Sequence, residues 1–223
     1  MTIDPMCCTL LFMPAQKDYV LVADGDALSE KRLARLCRGR LVIAVDGAAE
    51  LLRKRKILPH LVMGDFDSIS PATQRYLLKN EVKFFPTPSQ DTTDLEKALH
   101  FAMIRKPNHI HIVNALGNRT DHSLANMSFL KKFAHAGTTI SLHTEEERIS
   151  FCKDQSILFK AKKNSRIGIL GFPRCTISSQ GLGFELDSAA LELGHSESIS
   201  NFAARPLVAL QIRGDALLIV EEQ

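Results

Sequence analysis

The sequence predicts an α/β protein, in which an N-terminal, mostly parallel sheet with flanking helices is followed by a C-terminal antiparallel β-sandwich. Short apolar runs alternate with helix-like segments from about residue 19 to residue 140, which is typical of a parallel sheet covered by helices. After the acidic run 145–147, short apolar runs follow one another closely and are separated by turn residues, which is typical of antiparallel strands. We therefore predict two domains, residues 1–145 and 146–223.

The first domain has six predicted strands and five predicted helices. The strands are 19–23, 41–45, 60–63, 82–85, 109–113 and 138–142; the helices are 28–37, 48–56, 71–80, 92–105 and 123–136. Ser70 before Pro71 predicts the start of the third helix, because serine caps helices and proline suits the first helical position.

The second domain is predicted to consist of short strands only. They cover 148–152, 157–160, 166–170, 175–178, 199–203, 207–213 and 216–220. Turn residues at 163–165, 171–173 and 213–215 are expected to separate neighbouring strands. No segment there is long and periodic enough to predict a helix.

Composition excludes several classes of protein. The 223 residues are 45% hydrophobic and 24% charged with a net charge of +3, so neither a nucleic acid nor a membrane is expected as partner. The basic run 53–56 is interpreted as a helix end rather than a nucleic-acid patch. Five cysteines without a C-x-x-C pair favour reduced thiols in the cytoplasm. The apolar stretch 7–15 is too short to span a bilayer and follows no basic residue, and the role of residues 1–18 stays open.

Acidic residues follow the first three predicted strands. Asp24-Gly25 ends the first, Asp46-Gly47 the second and Asp65-Phe66-Asp67 the third. Ligands of open α/β sheets bind at the carboxyl ends of the strands, so these turns are expected to converge on one crevice. An Asp-Gly pair alone is often only a turn. Asp65 and Asp67 repel each other two residues apart, which favours a bound cation.

Two further segments carry candidate ligands. Asp91 and Asp94 are three residues apart at the start of the fourth helix, where they would share a face; the alternative is that Asp91 only caps that helix. With Asp65 and Asp67 they make an oxygen-rich set suited to Mg²⁺. The loop 116–122 contains Gly117 and Arg119, and Arg119 beside a helix N-terminus suits phosphate, although Asp121 and His122 can be ordinary first-turn residues. The residues alone indicate magnesium-dependent phosphate chemistry.

Four segments in order resemble the thiamine pyrophosphokinase family. They are 64–69 (GDFDSI), 90–99 (QDTTDLEKAL), 117–126 (GNRTDHSLAN) and 198–201 (SISN). The resemblance implies an α/β nucleotide-binding catalytic domain, a thiamine-binding β-sandwich and a homodimer. The implied reaction converts ATP and thiamine to thiamine diphosphate and AMP.

The resemblance also implies roles for individual residues. Mg²⁺ on the triphosphate would be held by Asp65, Asp67, Asp91 and Asp94, which form the catalytic set. The ATP site would be lined by Asp46, Gly47, Arg119, Asp121 and His122. Thiamine would contact Gln90, Phe184, Ser198, Ser200 and Asn201, with the three residues of the SISN segment supplied by the partner subunit.

The sequence departs from the family pattern at several positions. Phe184 stands where the family has tryptophan, and the chain contains no tryptophan; phenylalanine offers a weaker face to a cationic ring. Asn118 replaces a glycine of the arginine loop, Ile199 replaces a threonine, and His60 stands where an acid is common. Two rivals stay open: a transferase acting on another alcohol, and a non-catalytic nucleotide or thiamine sensor.

Overall fold

The computed structural model describes residues 17–89, 91–134 and 137–222. The chain divides into two compact units, Met1–Glu145 and Glu146–Gln223. Among the described residues, none of the helices is both long and apolar enough to span a bilayer.

The first unit is a parallel sheet with helices between its strands. Its strands are β1 (Asp18–Val22), β2 (Leu41–Val45), β3 (Leu61–Gly64), β4 (Lys83–Pro86), β5 (His109–Val113) and β6 (Thr139–His143). Its helices are α1 (Glu30–Cys37), α2 (Ala48–Lys54), α3 (Pro71–Lys79), α4 (Asp94–Ile104) and α5 (Thr120–Lys132). The order in the sheet is β6-β5-β1-β2-β3-β4, and every one of these pairs is parallel.

Local sequence explains these elements. Strand β2 is buried along its whole length, as expected of a central strand covered on both faces. The Ser70 hydroxyl accepts a hydrogen bond from the Thr73 N–H at 3.2 Å, with Pro71 in the first helical turn, so the predicted cap is confirmed. The basic run ends α2, and Arg53 donates to the Thr73 hydroxyl at 2.7 Å, which supports its interpretation as a helix end.

The second unit is an antiparallel sheet over one apolar core. Its strands are β7 (Glu147–Lys160), β8 (Arg166–Gln180), β9 (Ala189–Glu192), β10 (Ser198–Phe202) and β11 (Leu207–Glu221). The order is β10-β8-β11-β7, with β9 also paired to β8. The parallel sheet with flanking helices and the antiparallel strand region that follows it confirm the predicted fold class.

The predicted division of this unit into very short strands is wrong. Three times, two neighbouring predicted strands form one long strand in the structure, namely β7, β8 and β11. The expected turns at 171–173 and 213–215 lie inside β8 and β11. The ladder continues past Gly214 as a bulge with a register shift. Gly214 has φ +88° and its N–H donates to Asp154 Oδ1 at 2.7 Å. The glycine therefore bends the strand at the bulge and does not end it.

Three cysteines of the two units are buried free thiols. They are Cys37, Cys152 and Cys175. Burial raises the pKa of Cys37 and of Cys152 to about 11, so both stay protonated and unreactive at neutral pH. Cys7 and Cys8 lie outside the described residues.

A row of histidines crosses β5 and β6 of the first unit. His111 Nδ1 lies 3.0 Å from His143 Nε2, and the rings of His109 and His111 stack with centroids 6.0 Å apart. Burial lowers the pKa of His111 to about 4, helped by His143, Arg40 and His109 and opposed by Asp18. His111 is therefore neutral in the folded protein at neutral pH.

The lowered pKa of His111 predicts that the folded protein loses stability as the solution becomes acidic. Because the pKa of His111 is lower in the folded protein than the ordinary value of 6.5, the unfolded chain binds more protons between the two values. Its contribution to stability is present above pH 6.5 and is lost as pH falls toward 4. We expect the thermal midpoint to fall less steeply over this window in His111→Asn than in the wild type, measured by circular dichroism. Parallel curves for the two proteins would contradict this.

Candidate active site

A cleft lies at the carboxyl ends of the strands of the first unit. Its volume is about 260 Å³. Residues after β1, β2 and β5, together with the starts of α4 and α5, line it: Ala23, Asp24, Gly25, Val45, Asp46, Thr93, Asp94, Leu95, Asn114, Ala115, Gly117, Asn118, Arg119, His122 and Asn126. Asp24 and Asp46 are thus brought to one crevice by the parallel strands.

An acidic cluster stands at the end of β2 and β3. Carboxylate oxygens of Asp46, Asp65 and Asp67 lie within 4.8 Å of one another. Gly64 allows the approach, because a Cβ on it would lie only 3.0 Å from the Cβ of Asp46. Asp46 was expected to line the nucleotide site, and the structure places it beside Asp65 and Asp67 as well.

Asp46 is the least solvated member of this cluster. Burial raises the pKa of its carboxyl; hydrogen bonds from Ser68 and Gly47 oppose the rise, and the charges of Asp65 and Asp94 add to it. Its Oδ1 is buried and has no hydrogen-bond partner among the described residues. A buried acceptor without a donor, facing two further carboxylates, fits a hard divalent cation.

Asp94 and Asp91 are placed differently. Asp94 is the first residue of α4 and accepts hydrogen bonds from Thr87 at 3.0 Å and from Lys97 at 2.9 Å. Asp91 lies before the helix, is exposed, and accepts from the Ser89 hydroxyl at 2.7 Å. Thr93 caps α4 by accepting from the Glu96 N–H. The expectations that Asp91 shares a helical face with Asp94 or caps this helix are therefore wrong, and its role as a ligand stays a prediction.

Arg119 stands at the rim of the cleft, directly before α5. Its guanidinium is exposed and forms two hydrogen bonds to the Asp121 carboxylate, at 3.1 and 2.6 Å. The hydrogen bond from Arg119, with help from the His122 N–H, lowers the pKa of Asp121 to about 2. Asn118 ties this loop to β1 by donating to the Asp24 carbonyl at 3.0 Å. Asp121 thus fixes the direction of the Arg119 side chain at the rim of the cleft.

Two asparagines of the cleft were missed by sequence analysis. Asn114 is 2% exposed, has φ +54°, and its Oδ1 accepts from the Leu28 N–H at 3.0 Å. Asn126 donates to the Ala115 carbonyl at 2.7 Å. The available signal was position: Asn114 directly follows β5, as Asp24 and Asp46 follow their strands.

The residues predicted to contact thiamine are divided by the structure. Gln90 lies outside the described residues. Phe184, Ser198, Ser200 and Asn201 belong to the second unit. Phe184 is 66% exposed, whereas Asn201 is 2% exposed. Ser200 has φ +59°.

Comparison with known proteins shows which of them this chain resembles. Residues 35–142 match the family model described as "Thiamin pyrophosphokinase, catalytic domain". The chain is 26% identical to thiamin pyrophosphokinase 1 of Caenorhabditis elegans, over 80% of this chain and 78% of that protein. It is 28% identical to thiamine pyrophosphokinase of Bacillus subtilis, over 72% and 77%. These matches confirm the resemblance to the thiamine pyrophosphokinase family that the sequence motifs indicated.

Solved structures of the family extend the likeness to the second unit. The crystal structure of thiamine pyrophosphokinase from Bacillus subtilis superposes with a TM-score of 0.83 at 24% identity, covering 93% of this chain and all of that one. The enzyme from Candida albicans gives 0.81 at 18% identity, covering 93% and 90%. Both thiamine pyrophosphokinase structures show the same fold as this chain. The matched family segment contains the acidic cluster and Arg119.

Proposed function

We propose that this chain transfers diphosphate from ATP to the hydroxyethyl group of thiamine, giving thiamine diphosphate and AMP. The observation that carries the proposal is the acidic cluster with the unpartnered Asp46 oxygen, beside a cleft rimmed by Arg119. This arrangement suits a polyphosphate with a divalent cation. The proposal is supported by the curated relatives, which are named thiamine pyrophosphokinases.

The metal proposed is Mg²⁺, which Asp65, Asp67, Asp91 and Asp94 would hold, with Asp46 beside Asp65 and Asp67. When bound, Mg²⁺ supplies neutralisation of phosphate charge and orientation of the transferred group. The donor set consists of carboxylates, which is the chemistry that Mg²⁺ prefers.

The chain's own groups position the reaction. Arg119 would bind the phosphates through its planar, two-pronged guanidinium. The first N–H groups of α5, with His122 in the first turn, form the positive end of the helix dipole at the same place, which favours a bound anion. The thiamine hydroxyl oxygen attacks the β-phosphorus, the bond from that phosphorus to the α-phosphate oxygen breaks, and AMP leaves. The hydroxyl proton passes to Asp65 or Asp94. Lys97 Nζ lies 2.9 Å from Asp94 Oδ1 and holds that carboxylate in place.

Thiamine is proposed to contact Gln90 of the first unit and the Phe184 ring of the second. Ser198, Ser200 and Asn201 are proposed to be supplied, together with Phe184, by the partner subunit of a homodimer, because Asn201 forms hydrogen bonds with Phe184 within one chain. Buried free thiols at Cys37 and Cys152 support a reducing compartment, and we propose the cytoplasm.

The test is incubation of the full chain with ATP, MgCl₂ and thiamine, followed by chromatography of the products. We expect AMP and thiamine diphosphate in equal amounts, and loss of both when EDTA is added. Intact ATP with measurable thiamine binding would show a sensor instead. AMP formation with a different alcohol, and not with thiamine, would show another transferase.

A further inference from the structure

Asn201 is a buried amide whose hydrogen bonds, among the described residues, are all to residues of the second unit. It is 2% exposed. Its Oδ1 accepts from the Phe184 N–H at 3.1 Å, and its Nδ2 donates to the Phe184 carbonyl at 2.8 Å. The remaining contacts are the Phe202 N–H at 2.9 Å and the Ser198 hydroxyl at 3.3 Å. Both ends of the amide are therefore engaged.

The two bonds to Phe184 continue a short ladder between neighbouring segments. Gly183 N–H donates to the Phe202 carbonyl at 2.8 Å, and Leu182 forms a bridge with Ala203. At the next position the side-chain amide of Asn201 takes the place of a backbone peptide, since it offers one donor and one acceptor. The backbone of Phe184 is thus fixed without a further strand residue.

The other side of the same loop is fixed independently. The Ser179 hydroxyl donates to the Glu185 carboxylate at 2.5 Å and accepts from the Leu186 N–H at 2.8 Å. Glu185 also accepts from the Gly181 N–H at 2.6 Å. Every residue from Gly181 to Leu186 is therefore held by a neighbour on one side or the other.

This scaffold presents a large apolar ring to solvent. Phe184 is 66% exposed, and its ring meets that of Phe202 edge-on, with centroids 5.8 Å apart and planes at 82°. An exposed aromatic on a fixed backbone loses little entropy when a flat ligand stacks on it.

We propose that Asn201 is a positioning residue, which sets the orientation of the Phe184 ring and does not itself touch the substrate. The inference rests on the proposed function, because it takes thiamine as the ring's ligand. It replaces the expectation that Asn201 contacts thiamine directly. The substitution Asn201→Asp keeps an acceptor for the Phe184 N–H, but it places a carboxylate oxygen against the Phe184 carbonyl oxygen. Because two acceptors cannot form a hydrogen bond, aspartate cannot replace asparagine here.

The experiment uses Phe184→Trp as a reporter, because the chain has no tryptophan of its own. Fluorescence anisotropy of the new indole reports how firmly the loop is held, and its quenching by thiamine reports binding. Asn201→Ala, Asn201→Asp and Ser179→Ala are each combined with it. Gln211→Ala, the loss of an exposed amide on β11, is the control, and circular dichroism checks that each protein is folded.

We expect anisotropy to fall in the Asn201 variants and in Ser179→Ala, and to stay unchanged in Gln211→Ala. The KM for thiamine should rise about tenfold, the size of one lost cation–π contact, while the KM for ATP changes little. Unchanged anisotropy with a raised KM for thiamine would overturn the proposal and make Asn201 a direct contact. If thiamine neither quenches the indole fluorescence of the Phe184→Trp protein nor is converted by it to thiamine diphosphate, the proposed function fails. The anisotropy comparison still decides whether Asn201 positions the ring.

Discussion

Replacement of Asp67 by alanine is expected to lower kcat by about a thousandfold, the scale seen when one group that stabilises transition-state charge is removed. Asp67 is exposed, and its side chain accepts a hydrogen bond only from its neighbour Ser68 at 3.3 Å among the bonds described. Its loss leaves no cavity. It also relieves repulsion within the cluster that Asp67 forms with Asp46 and Asp65, so the thermal midpoint measured in EDTA should not fall.

The measurement is AMP formation at saturating ATP and thiamine, together with thermal midpoints in excess MgCl₂ and in EDTA. A cation that binds the folded protein raises its midpoint, and this rise should shrink in Asp67→Ala. Asp187→Ala removes an exposed aspartate of the second unit and should behave as the wild type in both assays. Near-normal turnover in Asp67→Ala would remove this residue from the proposed cation site.

The acidic cluster shows what spacing and strand order can predict. Asp46 and Asp65 follow β2 and β3, which are adjacent and parallel, so their meeting follows from the alternation of strands and helices. What the sequence did not reveal is the burial of the Asp46 oxygen. That depends on Ser68 and on the close approach of Gly64, which are contacts between segments far apart in the chain.

The fourth helix shows where local rules compete. Asp91 and Thr93 are both acceptable caps by type, and the sequence offered Asp91 as a cap only as the alternative to a metal ligand. In the structure Thr93 accepts from the Glu96 N–H, while Asp91 is engaged by Ser89. Because a difference of well under 1 kcal/mol separates such caps, a neighbouring hydroxyl is enough to decide the helix start.

The second unit shows how tertiary pairing overrides turn signals. Gly171 and Gly214 both read as turns, yet β8 and β11 run through them because each strand is paired along its length. For Asn201, the contact with thiamine that the family motif implied stays a prediction, and the structure adds that its amide is buried and bonded to Phe184. Side-chain direction on a bulged strand, with a register shift between Ser198 and Asn201, does not follow from a period of two.

Arg119→Ala is expected to lower kcat/KM for ATP by about a hundredfold to a thousandfold, because a charge-assisted, two-pronged contact to phosphate is lost. The guanidinium is exposed and bonds the Asp121 carboxylate, so the fold should be unaffected. Arg119→Lys keeps the charge but not the fork, and we expect it to recover only part of the loss. The KM for thiamine should change little in either variant.

The substitution Asp121→Asn tests whether Asp121 orients the Arg119 guanidinium or only offsets its positive charge. The Arg119 hydrogen bond lowers the pKa of Asp121 to about 2, so the carboxylate is ionised throughout the working range and no pH dependence arises from it. Asparagine has a single acceptor atom, so it cannot reproduce the contact in which Arg119 bonds both carboxylate oxygens of Asp121. If Asp121 orients the guanidinium, Asp121→Asn should raise the KM for ATP with a smaller effect on kcat. If Asp121 instead only offsets the positive charge, its removal should lower the KM for ATP, because the phosphates then meet an uncompensated arginine.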